Sequence, residues 1–367
     1  MEKEHFAQME ILKKNVAYNY KYFRSKLKKS TKLLILVKAN SYGHGAYEFA
    51  KLMEDLGADY FAVAHTVKGI ELREKGIRKT PIMVLSSGVD SYSEMIKWGL
   101  EPGIPTLDAL KKFRAAMKEM EVACYPVHIK LDTGMHRLGF MEKEIPALLN
   151  YLKKHPEIRV QSIYSHLAAS DEKKWDKFTL SQIALFDRIA PQIDAVVGYH
   201  PMHHILNSAG IERFSEHQKD MVRLGIGIYG ISAVNPKNLK PSAELKCQII
   251  QIKELLPSDG TVGYGRHGKI EGPIRIATLP IGYADGINRH LGRGKAKFCI
   301  NGKLVPTIGN ICMDMCMIDV SGTDAKVGDI VTIFGEKPTA SDIAKILETI
   351  PYEVFTSVHE RIRRVIK

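Results

Sequence analysis

The chain is poor in the features that would make it a membrane or secreted protein. No stretch reaches the roughly 20 consecutive apolar residues that a membrane-spanning helix needs. The opening MEKEHFAQMEILKKN is charged and has no apolar signal core, so a cytoplasmic protein with no membrane partner is expected. Cysteine is scarce. Cys124, Cys247, Cys299, Cys312 and Cys316 are odd in number and scattered, which argues against a disulfide framework. Cys312 and Cys316 fit no metal spacing, and MCMIDV around Cys316 alternates like a strand, so no metal is expected. Internal repeats and low-complexity tracts are absent. Only the charge is one-sided, at +12. Its lysines are spread over helical stretches such as ILKKNVAYNYKYFRSKLKK and ALKKFRAAMKEM, as on solvated helix faces. No nucleic-acid partner is expected on that account, although such a surface would attract anionic metabolites.

Hydrophobic residues are plentiful, at 45% of 367 residues, enough for large buried cores. Through the first two-thirds, short apolar runs alternate with amphipathic stretches. Strands are expected at 32–38, 60–64, 81–86, 101–105, 125–131, 160–165, 203–207 and 221–226. Eight buried strands with intervening helices predict an α/β fold, a parallel (β/α)8 barrel of the TIM type. An open doubly wound sheet is the alternative. The fourth strand contains Pro102 and Pro105, which suit a strand poorly. After about residue 235 the composition changes. AVNPKNLKPSAE reads as a linker, and strand-like runs punctuated by Asp259-Gly260 and Asn301-Gly302 follow it. The expected domains are a barrel over 1–234 and a mostly β domain over 235–367.

Lys38 ends the apolar run LLILV. At the carboxyl end of a barrel strand it would point into the mouth where barrel enzymes place their sites. Leaving water lowers a lysine's pKa, and the neutral amine can attack a carbonyl carbon. By itself, Lys38 could equally be the first exposed residue after a strand. The full string VKANSYGHG is more specific. With DTGMHRLGF (132–140), SHLAASDE (165–172), HILNSAG (204–210), VRLGIGIYG (222–230), VGYGR (262–266), GYADG (282–286) and IGNICMD (308–314), it resembles the alanine racemase family. The likeness runs over nearly the whole chain, in order.

That resemblance implies pyridoxal 5'-phosphate as cofactor, carried on Lys38. It also implies two bases, Lys38 and Tyr264, which remove a proton on one face of an α-carbon and return it on the other. Tyr42 matches a phosphate contact, though YGHG could also be an ordinary strand-to-helix loop. His166 matches a residue that tunes Tyr264, its alternative being a hydrogen-bonded core histidine. Arg223 matches the contact to the cofactor's ring nitrogen. An arginine only donates, so that nitrogen must accept and stay neutral, which weakens the ring as an electron sink and favours quick reprotonation over transamination. An acidic residue there would mark a decarboxylase of the same fold. Asn207, Ser208, Gly225 and Ile226 match further phosphate contacts, and Asn207 or Ser208 could equally cap a helix.

Arg137 and Met313 match substrate-carboxylate contacts. Tyr283 matches an entrance residue, and Asp314 is expected to orient Arg137 or line the entrance. Lys130 matches a lysine that some relatives carbamylate to brace the arginine. The family pairs the barrel of one subunit with the β domain of another, so a head-to-tail homodimer with shared sites is expected. The expected reaction is L-alanine to D-alanine, for cell-wall synthesis, with serine or a broader set as the alternative substrate. One departure is expected. Relatives carry a gate tyrosine just before an arginine that aligns with Arg361, where this chain has Glu360.

Overall fold

The computed structural model describes residues 6–367. Residues 1–5, part of the charged opening, lie outside the described residues. Strand β1 (Ala7–Ile11) is followed by eight strands of a parallel sheet: β2 (Lys32–Leu36), β3 (Tyr60–Val63), β4 (Ile82–Val84), β5 (Leu100–Ile104), β6 (Tyr125–Lys130), β7 (Ile158–Tyr164), β8 (Met202–His204) and β9 (Met221–Leu224). They pair in chain order from β2 to β8, and β9 returns to pair with β2. That return excludes the open doubly wound sheet. The gap between β8 and β9 is bridged where Asp220 N–H donates to His203 O (3.1 Å) and Arg223 N–H to Leu206 O (3.0 Å).

All eight expected strands are present, mostly shorter than expected. β5 keeps Pro102 in its interior. Strands such as Leu33–Leu36 are buried throughout, because helices cover one side and the barrel core the other. Helix Ala46–Asp55 shows the complementary pattern, burying Phe49, Ala50, Leu52 and Met53 on one stripe.

A second sheet is built from β10 (Ala243–Gln248), β11 (Gln251–Leu255), β14 (Ile274–Leu279), β15 (Lys297–Ile300), β16 (Lys303–Ile308), β17 (Cys316–Asp319), β18 (Ile330–Phe334) and β19 (Arg363–Ile366). The short hairpin β12 (Thr261–Val262) and β13 (Gly268–Lys269) stands apart from it. β1 completes the second sheet, antiparallel to β10 and parallel to β19. The expected first domain, 1–234, therefore takes in a strand that belongs to the other sheet. Alternation marks AQMEI as a strand with Ala7, Met9 and Ile11 inward, but alternation cannot say which sheet a strand joins. One continuous core runs from the barrel into this second sheet.

Met9 is fully buried at the centre of β1. Met9→Ala should cost about 2–5 kcal/mol and lower the thermal midpoint in calorimetry. An unchanged midpoint would mean that β1 adds nothing to the fold.

Candidate active site

Lys38 follows β2 and opens a short turn, Lys38–Tyr42. Ala39, Asn40, Ser41 and Tyr42 have φ of 50°, 54°, 51° and 51°, a left-handed turn made of four L-residues. Each costs roughly 1–2 kcal/mol, so the turn must be held from outside. The chain's carboxyl-terminal segments hold it. Arg364 Nε donates to Gly43 O at 2.9 Å. A Cβ on Gly43 (φ +80°) would lie 2.1 Å from Phe355 O, so only glycine fits beneath that helix. His44 bridges Tyr42 O (2.9 Å) and Ser242 Oγ (2.7 Å), and Tyr42 stacks on Tyr229 with centroids 4.6 Å apart.

The turn places Lys38 and Tyr42 on a cavity of about 870 Å³ at the carboxyl ends of the barrel strands, lined also by Lys130, Arg137, His166 and Arg223. Burial, then the nearby Arg137 charge, lowers the Lys38 pKa below the ordinary lysine range. Its amine is biased toward the neutral, nucleophilic form.

Arg223 is buried in β9 and forms no ion pair with a carboxylate among the described residues. Its Nη1 donates to His204 Nδ1 (2.9 Å) and His204 O (3.2 Å). Its Nη2 donates to the carbonyls of Ser165 and Ile205 and to His166 Nδ1 (3.3 Å). Nε finds no acceptor among the described residues, which leaves it a donor available to the cavity. Because guanidinium only donates, both histidines must accept at Nδ1 and carry their proton on Nε2. Burial and the Arg223 charge hold both imidazoles well below their usual pKa, hence neutral. His204 Nε2–H then donates to Ser162 Oγ (2.8 Å), Ser162 O–H to His128 Nδ1 (2.6 Å), and His128 Nε2–H to Glu101 Oε2 (2.8 Å). Tyr60 also donates to Glu101 (2.6 Å). A polarised chain thus crosses the barrel interior from Glu101 to Arg223. Apart from Arg223 its members escaped the sequence reading, although a polar residue inside an apolar strand (YPVHIK, VQSIYS) is the signal that could have found them.

At another part of the cavity, Ser208 Oγ accepts from Gly225 N–H (2.9 Å) and Gly227 N–H (3.2 Å). Its own proton is left to donate elsewhere. Gly225 supplies space rather than a donor: a Cβ there would lie 3.0 Å from Tyr42 Oη and 3.8 Å from Ser208 Oγ. Ile226 lines the same wall. Asn207 caps helix Ser208–Arg213, accepting from Gly210 N–H (2.9 Å) and Ser170 (2.8 Å) and donating to Leu167 O. Its oxygen is engaged as a cap, and one amide proton remains on the cavity wall.

Lys130 lies 4.9 Å from the Tyr164 ring centroid. Burial, with the charges of Arg223 and Arg137, pushes its pKa down to about 7. Arg137 is exposed at the cavity's rim.

Tyr264, Met313, Tyr283 and Asp314 do not line this cavity. They stand on the second domain, and Tyr264 is 72% exposed and Met313 55%. Within the chain Asp314 accepts from Arg361 (2.7 Å), not from Arg137. Glu360 is exposed and away from the cavity. The tyrosine that does reach it is Tyr352, in IPYEV, its ring 5.9 Å from that of Tyr42. Burial pushes its pKa up to about 12. The place expected for a gate tyrosine thus holds Glu360, away from the cavity, while Tyr352, eight residues earlier, lines it.

Comparison with known proteins agrees over the full length. The family model for the alanine racemase N-terminal domain matches residues 11–233, and that for the alanine racemase C-terminal domain matches 242–366. Alanine racemase 1 of Clostridium acetobutylicum is 39% identical over 363 residues, covering 96% of this chain and 92% of the relative. Among solved structures, the alanine racemase of Clostridium difficile 630 superposes with a TM-score of 0.92 at 34% identity, covering 99% of this chain and 96% of that one. The alanine racemase of Bartonella henselae with covalently bound pyridoxal phosphate gives 0.89 at 27% identity, covering 99% and 100%.

The low Lys130 pKa has a sign for stability. As pH falls through 10.5 the unfolded lysine takes a proton that the folded one refuses until about pH 7. Stability is lost across that window, by an upper bound of about 4–5 kcal/mol. Lys130→Met should therefore raise the thermal midpoint at pH 7 by several degrees, and the gain should shrink toward pH 10. A gain independent of pH would instead assign it to packing.

Proposed function

The chain belongs to the alanine racemase family, and we propose that it interconverts L-alanine and D-alanine with pyridoxal 5'-phosphate held on Lys38. We assign the two bases to Lys38 and to Tyr264 of a partner subunit. The observation that carries this reading is the separation of the two. Lys38 sits in the barrel cavity with its amine biased to neutrality, while Tyr264 stands 72% exposed on the other domain. A head-to-tail homodimer would deliver one chain's Tyr264, Met313 and Tyr283 to the other's cavity.

The cavity's donors suit the cofactor. Tyr42 and Ser208 flank the space that Gly225 leaves open, a pocket for a phosphate, and Arg223 Nε would donate to a ring nitrogen. When bound, the cofactor draws electrons from the α-carbon of an amino acid and makes its C–H acidic. The protein then has to move one proton across a plane. Lys38, as a neutral amine, accepts or returns it on one face, and Tyr264 acts on the other. His166 Nε2–H, its tautomer set by Arg223, is available to lower the cost of a tyrosinate. Arg137 offers its fork to the substrate carboxylate, next to Met313. Such an enzyme would serve in the cytoplasm, supplying D-alanine to peptidoglycan.

The direct test is chiral analysis after incubating the purified protein with pyridoxal phosphate and single L-amino acids. D-alanine should form fastest from L-alanine, and no D-alanine from the cofactor-loaded protein would overturn the proposal. Sharing of sites has its own test. Lys38→Ala and Tyr264→Phe are each expected to be nearly inactive alone. Random remixing should recover about a quarter of wild-type activity, since half the dimers would hold one intact site of two. Heterodimers without activity would place both bases in one chain.

A further inference from the structure

The amino-terminal face of the barrel, opposite the cavity, carries a second convergence of side chains. Asp194 lies in the last turn of helix Asp176–Val197, His200 and His203 flank the start of β8, and Asp220 immediately precedes β9. Asp194 Oδ2 is 2.8 Å from His200 Nδ1, and Asp194 Oδ1 is 2.9 Å from His203 Nε2. Three potential ligand atoms from the three residues lie within 4.8 Å of one another. We infer that Asp194, His200 and His203 bind a divalent transition metal, with Zn²⁺ the ion their chemistry suits.

Two observations carry this beyond proximity. The first is the support behind the ligands. His200 presents Nδ1 to the cluster, and its other nitrogen, Nε2, is 3.0 Å from Asp220 Oδ2. The same oxygen accepts from the His203 backbone N–H at 2.8 Å. A carboxylate on the far nitrogen is the usual second support of a metal-binding imidazole, fixing its tautomer and raising its basicity. The second is orientation: Asp194 sets one carboxylate oxygen against each imidazole, so both rings turn a nitrogen toward the same carboxylate. Hydrogen bonds to Asp194 and Asp220 raise the His200 pKa, so an incoming ion would displace a proton there.

The geometry needs little adjustment. Ligand atoms bound to tetrahedral zinc stand roughly 3.3 Å apart, from bonds of about 2.0–2.1 Å, so the two Asp194–imidazole pairs, at 2.8 and 2.9 Å, would each open by about half an ångström. His200 is 58% exposed on its side chain, so it is free to turn and the fourth position can take water. The ion would tie a helix end, the following loop and the starts of two strands together. On this face of a barrel such a tie serves stability. Nothing connects it to the racemase chemistry. The sequence reading expected no metal because it weighed only the cysteines. The signal it passed over was His-x-x-His six residues after a helical aspartate.

The test uses the cofactor-loaded enzyme, dialysed against a chelator and titrated with Zn²⁺ alone. One ion should bind per chain at micromolar or tighter Kd. The thermal midpoint should rise by about 3 °C or more at a 100-fold excess over Kd. Co²⁺ in its place should give visible d–d bands without thiolate charge transfer, because no cysteine takes part. His200→Ala and Asp194→Asn should each weaken binding by about 100-fold or more, and Asp220→Asn by about 10–100-fold, all with racemase activity kept. Zn²⁺ binding that survives both ligand substitutions would overturn the site. So would wild-type protein that takes up no Co²⁺ with such a spectrum, a measurement that stands even if a variant fails to fold.

Discussion

Arg223 is a permanent cation in the middle of a barrel, and the order of its surroundings follows from its inability to accept a hydrogen bond. A buried charge without a paired counter-charge is costly unless its hydrogen bonds are satisfied. Here both terminal nitrogens are answered by three backbone carbonyls and two imidazoles. Each imidazole is thereby fixed in one tautomer, one facing the cavity and one facing the core. The core-facing arm runs through Ser162 and His128 to Glu101, which is the nearest carboxylate by way of hydrogen bonds. Every link is oriented the same way, donors pointing from Arg223 toward Glu101. The counter-charge is thus remote but connected, and no acid stands where it could protonate whatever accepts from Nε.

The second sheet is as much a part of the site as the barrel is. Lys38 and Tyr42 owe their direction to four left-handed residues, a conformation that L-amino acids leave when they can. The restraint comes from elements more than 190 residues away in sequence: Ser242 through His44, Phe355 over Gly43, and Arg364 on the Gly43 carbonyl. Tyr352, from the same helix as Phe355, closes against Tyr42. Loss of this packing would relax the turn before it disturbed the barrel.

How much of this was legible in the sequence depended on range. The barrel strands were readable because each is a local apolar run, and Lys38 because its motif is local too. The sheet partner of β1 was not, since pairing with β10 and β19 is decided over hundreds of residues. Asn207 was expected to contact an anion, a role compatible with capping a helix; the local geometry shows the cap, on the cavity wall. Asp314 was expected to orient Arg137 or line the entrance; within the chain it accepts from Arg361, which also donates to Asp285. The gate tyrosine was sought by its place before an arginine. Tyr352 is instead identified by the cavity it faces, and no spacing rule encodes that. The polar chain through the core was overlooked for the same reason: His128, Ser162 and His204 sit on three different strands, and only barrel closure makes them neighbours.

Burial and a crowding of cations together set the protonation of the cavity's lysines. Lys38, Lys130, Arg137 and Arg223 line the cavity against, among the described residues, a single carboxylate, Asp171. The arginines cannot give up their protons under any ordinary condition, so the lysines must absorb the repulsion. Both do, with Arg137 acting on Lys38 and both arginines on Lys130. Burial is the larger cause of the lowered lysine pKa values, and guanidiniums placed for other reasons, one toward the core and one at the rim, add to it. The same crowding makes the cavity receptive to anions, and a phosphate or carboxylate entering it would push both lysines back toward protonation. The protonation of Lys38 is thus coupled to occupancy: its amine is most biased to neutrality before an anion arrives, and best able to hold a proton once one has.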